Sequence, residues 1–234
     1  EPTVNLKVFL EGEEEAGSPN LRRMIEAHKD KLAADLWLFC DGPAHQSRRW
    51  QLVYGVRGTY GFNLTVYGPN RPLHSGHYGN WSPNPIMLLT ELIGSMRAPG
   101  GEILVDGYSD QVLPLAPQEL SAIAASPQID NILTTDLGIG AAETEDRLEL
   151  SITRPAMNLR GIRGGDVGAQ ARNVIQPSAE ASIGLRLVPA QTPEYLREAI
   201  EKHITNQGFF IIHDEPTEQQ RQQHKRLARL DWSS

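Results

Sequence analysis

A single cysteine, Cys40, rules out an internal disulfide framework and fits a reducing, cytoplasmic setting. No apolar run approaches the roughly 20 residues that a membrane span needs, and there is no low-complexity tract or internal repeat. Positive charge is in deficit, with 22 Lys and Arg against 29 Asp and Glu. The net charge of -7 offers no general attraction to nucleic acid or an anionic membrane, so neither is an expected partner. An initiator methionine and a signal-peptide pattern are also lacking, and a strand pattern starts at once at Val4; the expectation is an internal piece of a longer protein. Its 234 residues suffice for one large domain or two ordinary ones.

What is present begins with crowded acid. "FLEGEEEAGSPNL" sets Glu11, Glu13, Glu14 and Glu15 directly after the β-rich run Thr3–Leu10. Ser18 as N-cap and Pro19 at the first helical position predict a helix with Leu21, Met24, Ile25, His28 and Leu32 at its spacing. Asp35–Cys40 then reads as a short buried strand ended by Asp41-Gly42-Pro43. Strand, helix, strand at this length predicts a parallel βαβ unit, which brings both strand ends to one sheet edge. Glu14, Glu15 and Asp41 are therefore expected to be neighbours where ligands of open α/β sheets gather. Three carboxylates without a nearby base suit a cation such as zinc, manganese or magnesium; the simpler reading is a solvated acidic loop.

After residue 50 the texture changes. Arg48–Gly68 alternates apolar and polar residues as a long antiparallel strand or hairpin with one wet face. Asn84-Pro85 opens a helix carrying Ile86, Leu89, Leu92, Ile93 and Met96, closed by Pro99-Gly100-Gly101. Residues 102–147 read as an insertion with a strand-like "EILVDGY" and a short helix, Pro117–Ala125. Strands are predicted at Arg147–Arg154 and Glu180–Pro189, a helix from Thr192-Pro193 to Gly208, a strand at "FFIIHDEP", and a charged helical tail over Thr217–Ser234. The expected architecture is α/β plus α+β: a partial βαβ piece (1–50) joined to a ferredoxin-like α+β sandwich (51–215), with 216–234 starting the return to the first domain.

Four stretches in order, "EGEEEAGSPNL", "LWLFCDGP", "LHSGHYGN" and "NVIQPSAEASIGLRLVP", resemble the co-catalytic zinc metallopeptidases that include cytosolic nonspecific dipeptidase, carnosinase, aminoacylase and glutamate carboxypeptidase, the dipeptidase branch most of all. The resemblance implies a zinc-binding α/β domain interrupted by a lid that also makes a homodimer. It implies two zinc ions per complete active site, with manganese or cobalt as substitutes, and a small peptide or N-acyl amino acid as substrate.

By the same resemblance, Glu14 is the general base, Glu15 a ligand of one zinc and Asp41 a ligand of the other. In such a site two metals activate a shared water and the base moves its proton. His74 matches the lid histidine that reaches the partner subunit's site to stabilise the oxyanion, although Arg71-Pro72-Leu73 precedes it where the family usually carries an acid. Arg186 matches the arginine that holds the substrate's terminal carboxylate, and Asn173 a substrate-contacting residue from the neighbouring subunit, with Gln176 where a proline is usual. Glu11 and Glu13 read as solvated charge, His77 as structural and Cys40 as packing. The family's other zinc ligands have no match here, so weak metal binding and no activity are expected of this chain alone. Two alternatives stay open: a stand-alone dimerisation or binding module, and a deacylase or desuccinylase of the same fold.

Overall fold

The computed structural model describes residues 3–42 and 44–233; Pro43 and Ser234, to which the turn and tail readings extended, lie outside them. The chain divides into two compact units, residues 1–51 and 52–234.

The first unit holds a one-turn 3-10 helix at Glu14–Ala16 and two short helices, α1 (Leu21–Ala27) and α2 (Lys29–Leu32). The helix expected after the acidic turn thus forms, though it starts at Leu21 rather than Pro19, and Ser18 sits in the left-handed region at φ 49°. The two strands expected at Thr3–Leu10 and Asp35–Cys40 do not form ladders. No described residue of this unit is buried. Val8 is 83% exposed and Phe39 81%, so the apolar side chains that would drive sheet formation have nothing here to pack on.

The second unit is a mixed α/β structure. Its elements are β1 (Gly58–Tyr67), β2 (Leu73–His74), α3 (Ser75–Tyr78), α4 (Pro85–Met96), α5 (Pro117–Ala125), α6 (Asp130–Asp136), α7 (Leu148–Ser151), β3 (Ala156–Arg163), β4 (Val174–Ile175), β5 (Ser178–Leu187), α8 (Pro193–Asn206), β6 (Phe210–Ile212), α9 (Glu218–Gln223) and β7 (Leu227–Trp232). Five strands form one sheet in the order β3-β5-β1-β7-β6, antiparallel except for the parallel β6–β7 pair. The ten-residue β1–β5 ladder, from Gly58↔Leu187 to Tyr67↔Ser178, is its spine.

Alternation along that spine decides where the core lies. Phe62, Leu64 and Val66 on β1 and Ala181, Ile183 and Leu185 on β5 are buried together with Leu89, Leu92 and Met96 of α4 and Leu196, Ile200 and Ile204 of α8. Two amphipathic helices therefore cover one sheet face. Both helices start as their sequences predict: Asn84 Oδ1 accepts from Ile86 N at 3.0 Å, and Thr192 Oγ1 accepts from Tyr195 N at 3.2 Å, each with proline at the first turn.

Three element assignments change. Arg147–Arg154 is the short helix α7 and its flanks, because Arg147 is drawn into bonds with the carbonyls of Ile123, Ser126 and Pro127; the strand starts only at Ala156. The strand-like "EILVDGY" makes one isolated bridge, Ile103 to Arg97. Thr217–Ser234 is not one helix: α9 ends at Gln223, and β7 follows and pairs with β1, burying Leu227, Ala228 and Leu230.

Candidate functional site

The acidic turn organises itself around its outer glutamates. Glu11 Oε1 accepts from Glu13 N at 2.7 Å and its Oε2 from Ser18 Oγ at 3.3 Å, while both Glu13 oxygens accept from Asn20 Nδ2 at 3.1 and 2.9 Å. These two residues are the clasp of the turn rather than plain solvated charge. Gly17, with φ 82°, closes the turn through its N–H to Glu14 O, a conformation that costs a residue with a Cβ. Glu14 and Glu15 are left exposed on the intervening 3-10 turn, and Asp41 is exposed as well. Among the described residues no three His, Cys, Asp or Glu side chains are grouped so as to hold a metal ion. The expected meeting of Glu14, Glu15 and Asp41 is not formed, because the ladders that would align their strand ends are not formed.

In the second unit the structure does bring candidates together. β2 and β4 form a two-residue ladder in which His74 pairs with Val174, and Ser75 N donates to Asn173 O at 2.9 Å. His74 and Asn173, 99 positions apart in sequence, are thus neighbours at one end of the second unit's main sheet. The imidazole is oriented locally: its Nδ1 accepts from Gly76 N at 3.1 Å, and its ring lies 4.8 Å from that of His77. A Cβ on Gly76 would sit 3.0 Å from the His74 ring, so any larger residue there would push the ring from this position. A cleft of about 820 Å³ adjoins this end, lined among others by Tyr67, Ser75, Trp81, Ile175, Arg221 and His224.

Arg186 stands at the other end. It is the ninth of the ten residues of β5, opposite Thr59 on β1 and Ala156 on β3. Ser178, beside the β4 ladder, is eight residues away, which at strand rise is about 26 Å. Within one copy, Arg186 and the His74–Val174 pair thus lie at opposite ends of the β1–β5 ladder. Next to Arg186 lies Arg57, unnoticed in the sequence: half-buried, with Nη1 donating to Arg154 O at 3.2 Å. Burial first, and then the Arg186 charge, hold its guanidinium below its ordinary value.

Residues 54–209 match the peptidase dimerisation domain of the M20 family. The chain belongs to the M20 peptidase family. It is 31% identical to the Cys-Gly metallodipeptidase of Schizosaccharomyces pombe over 86% of this chain and 44% of that protein. It is 27% identical to the human Beta-Ala-His dipeptidase over 86% of this chain and 41% of that protein. Among solved structures, an M20 family metallo-carboxypeptidase from Sulfolobus solfataricus superposes with a TM-score of 0.73 at 30% identity, covering 85% of this chain and 46% of that one. These likenesses set the M20 chain in the dipeptidase branch, and it spans less than half the length of the relatives it matches.

The metal that the M20 family implies does not fit the described residues by themselves. Glu14, Glu15 and Asp41 are hard oxygen donors of the right chemistry, but exposed and ungrouped. Among the described residues no helix is long and apolar enough to cross a membrane.

Proposed function

We propose that this chain is the lid-bearing part of a homodimeric, zinc-dependent M20 dipeptidase, whose substrate is a dipeptide or short peptide with a free C-terminal carboxylate. The separation of Arg186 from the His74–Asn173 ladder carries the reading. In a two-fold dimer the two ends of one lid serve two different sites. Arg186 of one copy holds the carboxylate with a planar, permanently charged fork, while His74 and Asn173 of the other copy reach the scissile bond. His74 has Nδ1 occupied as an acceptor from Gly76 N, which leaves Nε2–H as the donor to a developing oxyanion. Glu14 serves as general base and Glu15 and Asp41 as metal ligands only in a complete catalytic domain, where the strands around them are paired. Names of the relatives favour dipeptides over N-acyl amino acids, for which Arg186 would serve equally.

The test is subunit complementation in the full-length protein that carries this chain, with Cys-Gly as substrate. His74→Ala and Arg186→Ala should each be inactive as pure dimers. Mixed before assembly, they should regain about a quarter of the wild-type rate, because random pairing makes half the dimers mixed and leaves each mixed dimer one intact site. No recovery, with mixed dimers verified by mass, would show that both residues serve the same subunit's site or neither. A lid that stays monomeric would remove the proposal altogether.

A further inference from the structure

The sheet end that carries Arg186 holds more positive charge than its own structure uses. On β1 and β5 the core-facing residues are Phe62, Leu64, Val66, Ile183, Leu185 and Leu187, so Thr59 and Arg186, which pair, lie on the opposite, open face. Continuing the alternation one residue beyond β1 puts Arg57 on that face, a diagonal neighbour of Arg186 at about 7–8 Å between backbones. Its side chain confirms the placement. The strand order is β3-β5-β1, and Arg57, at the start of β1, donates to the carbonyl of Arg154, just before β3. Its arm therefore crosses the end of β5, where Arg186 stands.

Of the three guanidinium groups at this end, only Arg154 has an acid, Asp146 at 2.7 Å. Among the described residues neither Arg57 nor Arg186 is in an ion pair. Two like charges set side by side, one of them half-buried, oppose folding unless something else requires them. The floor beside them is a pair of glycines: Gly61, buried, pairs with Gly184, and the arm of Arg160 lies across that pair on its way to Ser182 Oγ at 3.0 Å. A Cβ on Gly184 would meet Arg160 Cδ at 3.1 Å.

We propose that Arg57 and Arg186 form a two-armed clamp for the free carboxylate of the substrate, each guanidinium engaging one carboxylate oxygen, with Arg160 adding its charge from the glycine floor. The inference rests on the Arg186 role given above and makes Arg57 a second carboxylate-binding residue. A carboxylate has lone pairs enough for a fork on each oxygen, and its charge relieves the repulsion between the two arginines.

The test uses this chain itself, with its arginine Nε–H signals followed by NMR during titration with N-acetylglycine, and with N-acetylglycinamide as the uncharged control. Signals of Arg57 and Arg186 should move together on one saturation curve with the acid and stay still with the amide. Arg57→Gln should weaken the acid by about tenfold, the loss of one charge-assisted bond, while Arg57→Lys keeps part of the affinity and Arg160→Gln costs less. Melting temperature should hold or rise in Arg57→Gln, because a repulsion is removed; a merely structural arginine would lower it and leave the titration alone. If Arg57→Gln binds the acid as wild type while Arg186→Gln does not, the clamp is wrong and the Arg186 role stands. If Arg186→Gln also binds as wild type, or the wild type responds equally to acid and amide, both fall.

Discussion

Two regions of one chain, read from the same kind of residue pattern, end up physically opposite. Thr3–Leu10 and Arg57–Tyr67 are both β-rich runs. The second pairs on both sides, with β5 and β7, and is covered by α4 and α8; the first forms no ladder and leaves Leu10 85% exposed. β-propensity describes how well side chains fit a half-buried pleated surface, so a strand without such a surface has little to hold it. Among its described residues the first unit keeps mostly local bonds, such as the glutamate clasp and the helices α1 and α2, with one longer reach, Lys7 Nζ on Ala33 O at 2.6 Å.

The largest expected effect tests whether the two regions are independent in stability. By amide hydrogen exchange, the buried amides of β1 and β5 should be protected at least about a thousandfold more than any amide before residue 52. Deleting residues 1–51 should leave the lid's melting temperature unchanged. Strong protection at Thr3–Leu10 or Asp35–Cys40 would break the comparison and show that the strands read from sequence form in solution. A smaller effect sharpens it within the cores. Leu92→Ala, at a position 1% exposed on α4, should cost about 2–5 kcal/mol by denaturant unfolding. The same change at Leu36, 82% exposed, should cost next to nothing.

The helices of the second unit were legible because their signals are local and agree. Asn84-Pro85 and Thr192-Pro193 announce helices whose apolar spacing matches the face they bury. Arg147–Arg154 misled because its alternation is as good as a strand's, while the guanidinium of Arg147 ties the segment into a non-local knot with residues 123–127. The tail misled for a related reason: the charges of Lys225, Arg226, Arg229 and Asp231 fit a helix's wet face, and pairing with β1 makes Arg229 and Asp231 the outward side of a strand. At the candidate site, the family resemblance suggests His74, Asn173 and Arg186 one by one. That the first two are neighbours at one ladder and the third lies a strand's length away is not legible in any one segment, because register is a property of pairing and not of either segment.

The smallest expected effect lies where the lid's two long helices meet. Ser95 of α4 and His203 of α8 are joined through Ser95 Oγ and His203 Nε2 at 2.9 Å. Burial pushes the His203 imidazole below its ordinary value, and the charge of Asp106 only partly opposes that. The unfolded chain therefore takes up this proton at a higher pH than the folded lid does. Stability from the neutral imidazole is present above about pH 6.5 and is lost as pH falls from there through the lowered folded value. Melting temperature should thus decline on acidification, by less than one proton's worth of slope because the ring is only partly buried and solvent screens its charge. His203→Gln, which keeps a hydrogen-bonding group but cannot titrate, should flatten that part of the curve. Since the two helices lie wholly within the lid, the same decline should persist after residues 1–51 are deleted; a pH dependence that vanished with them would mean that acid acts on the carboxylate-rich turn instead.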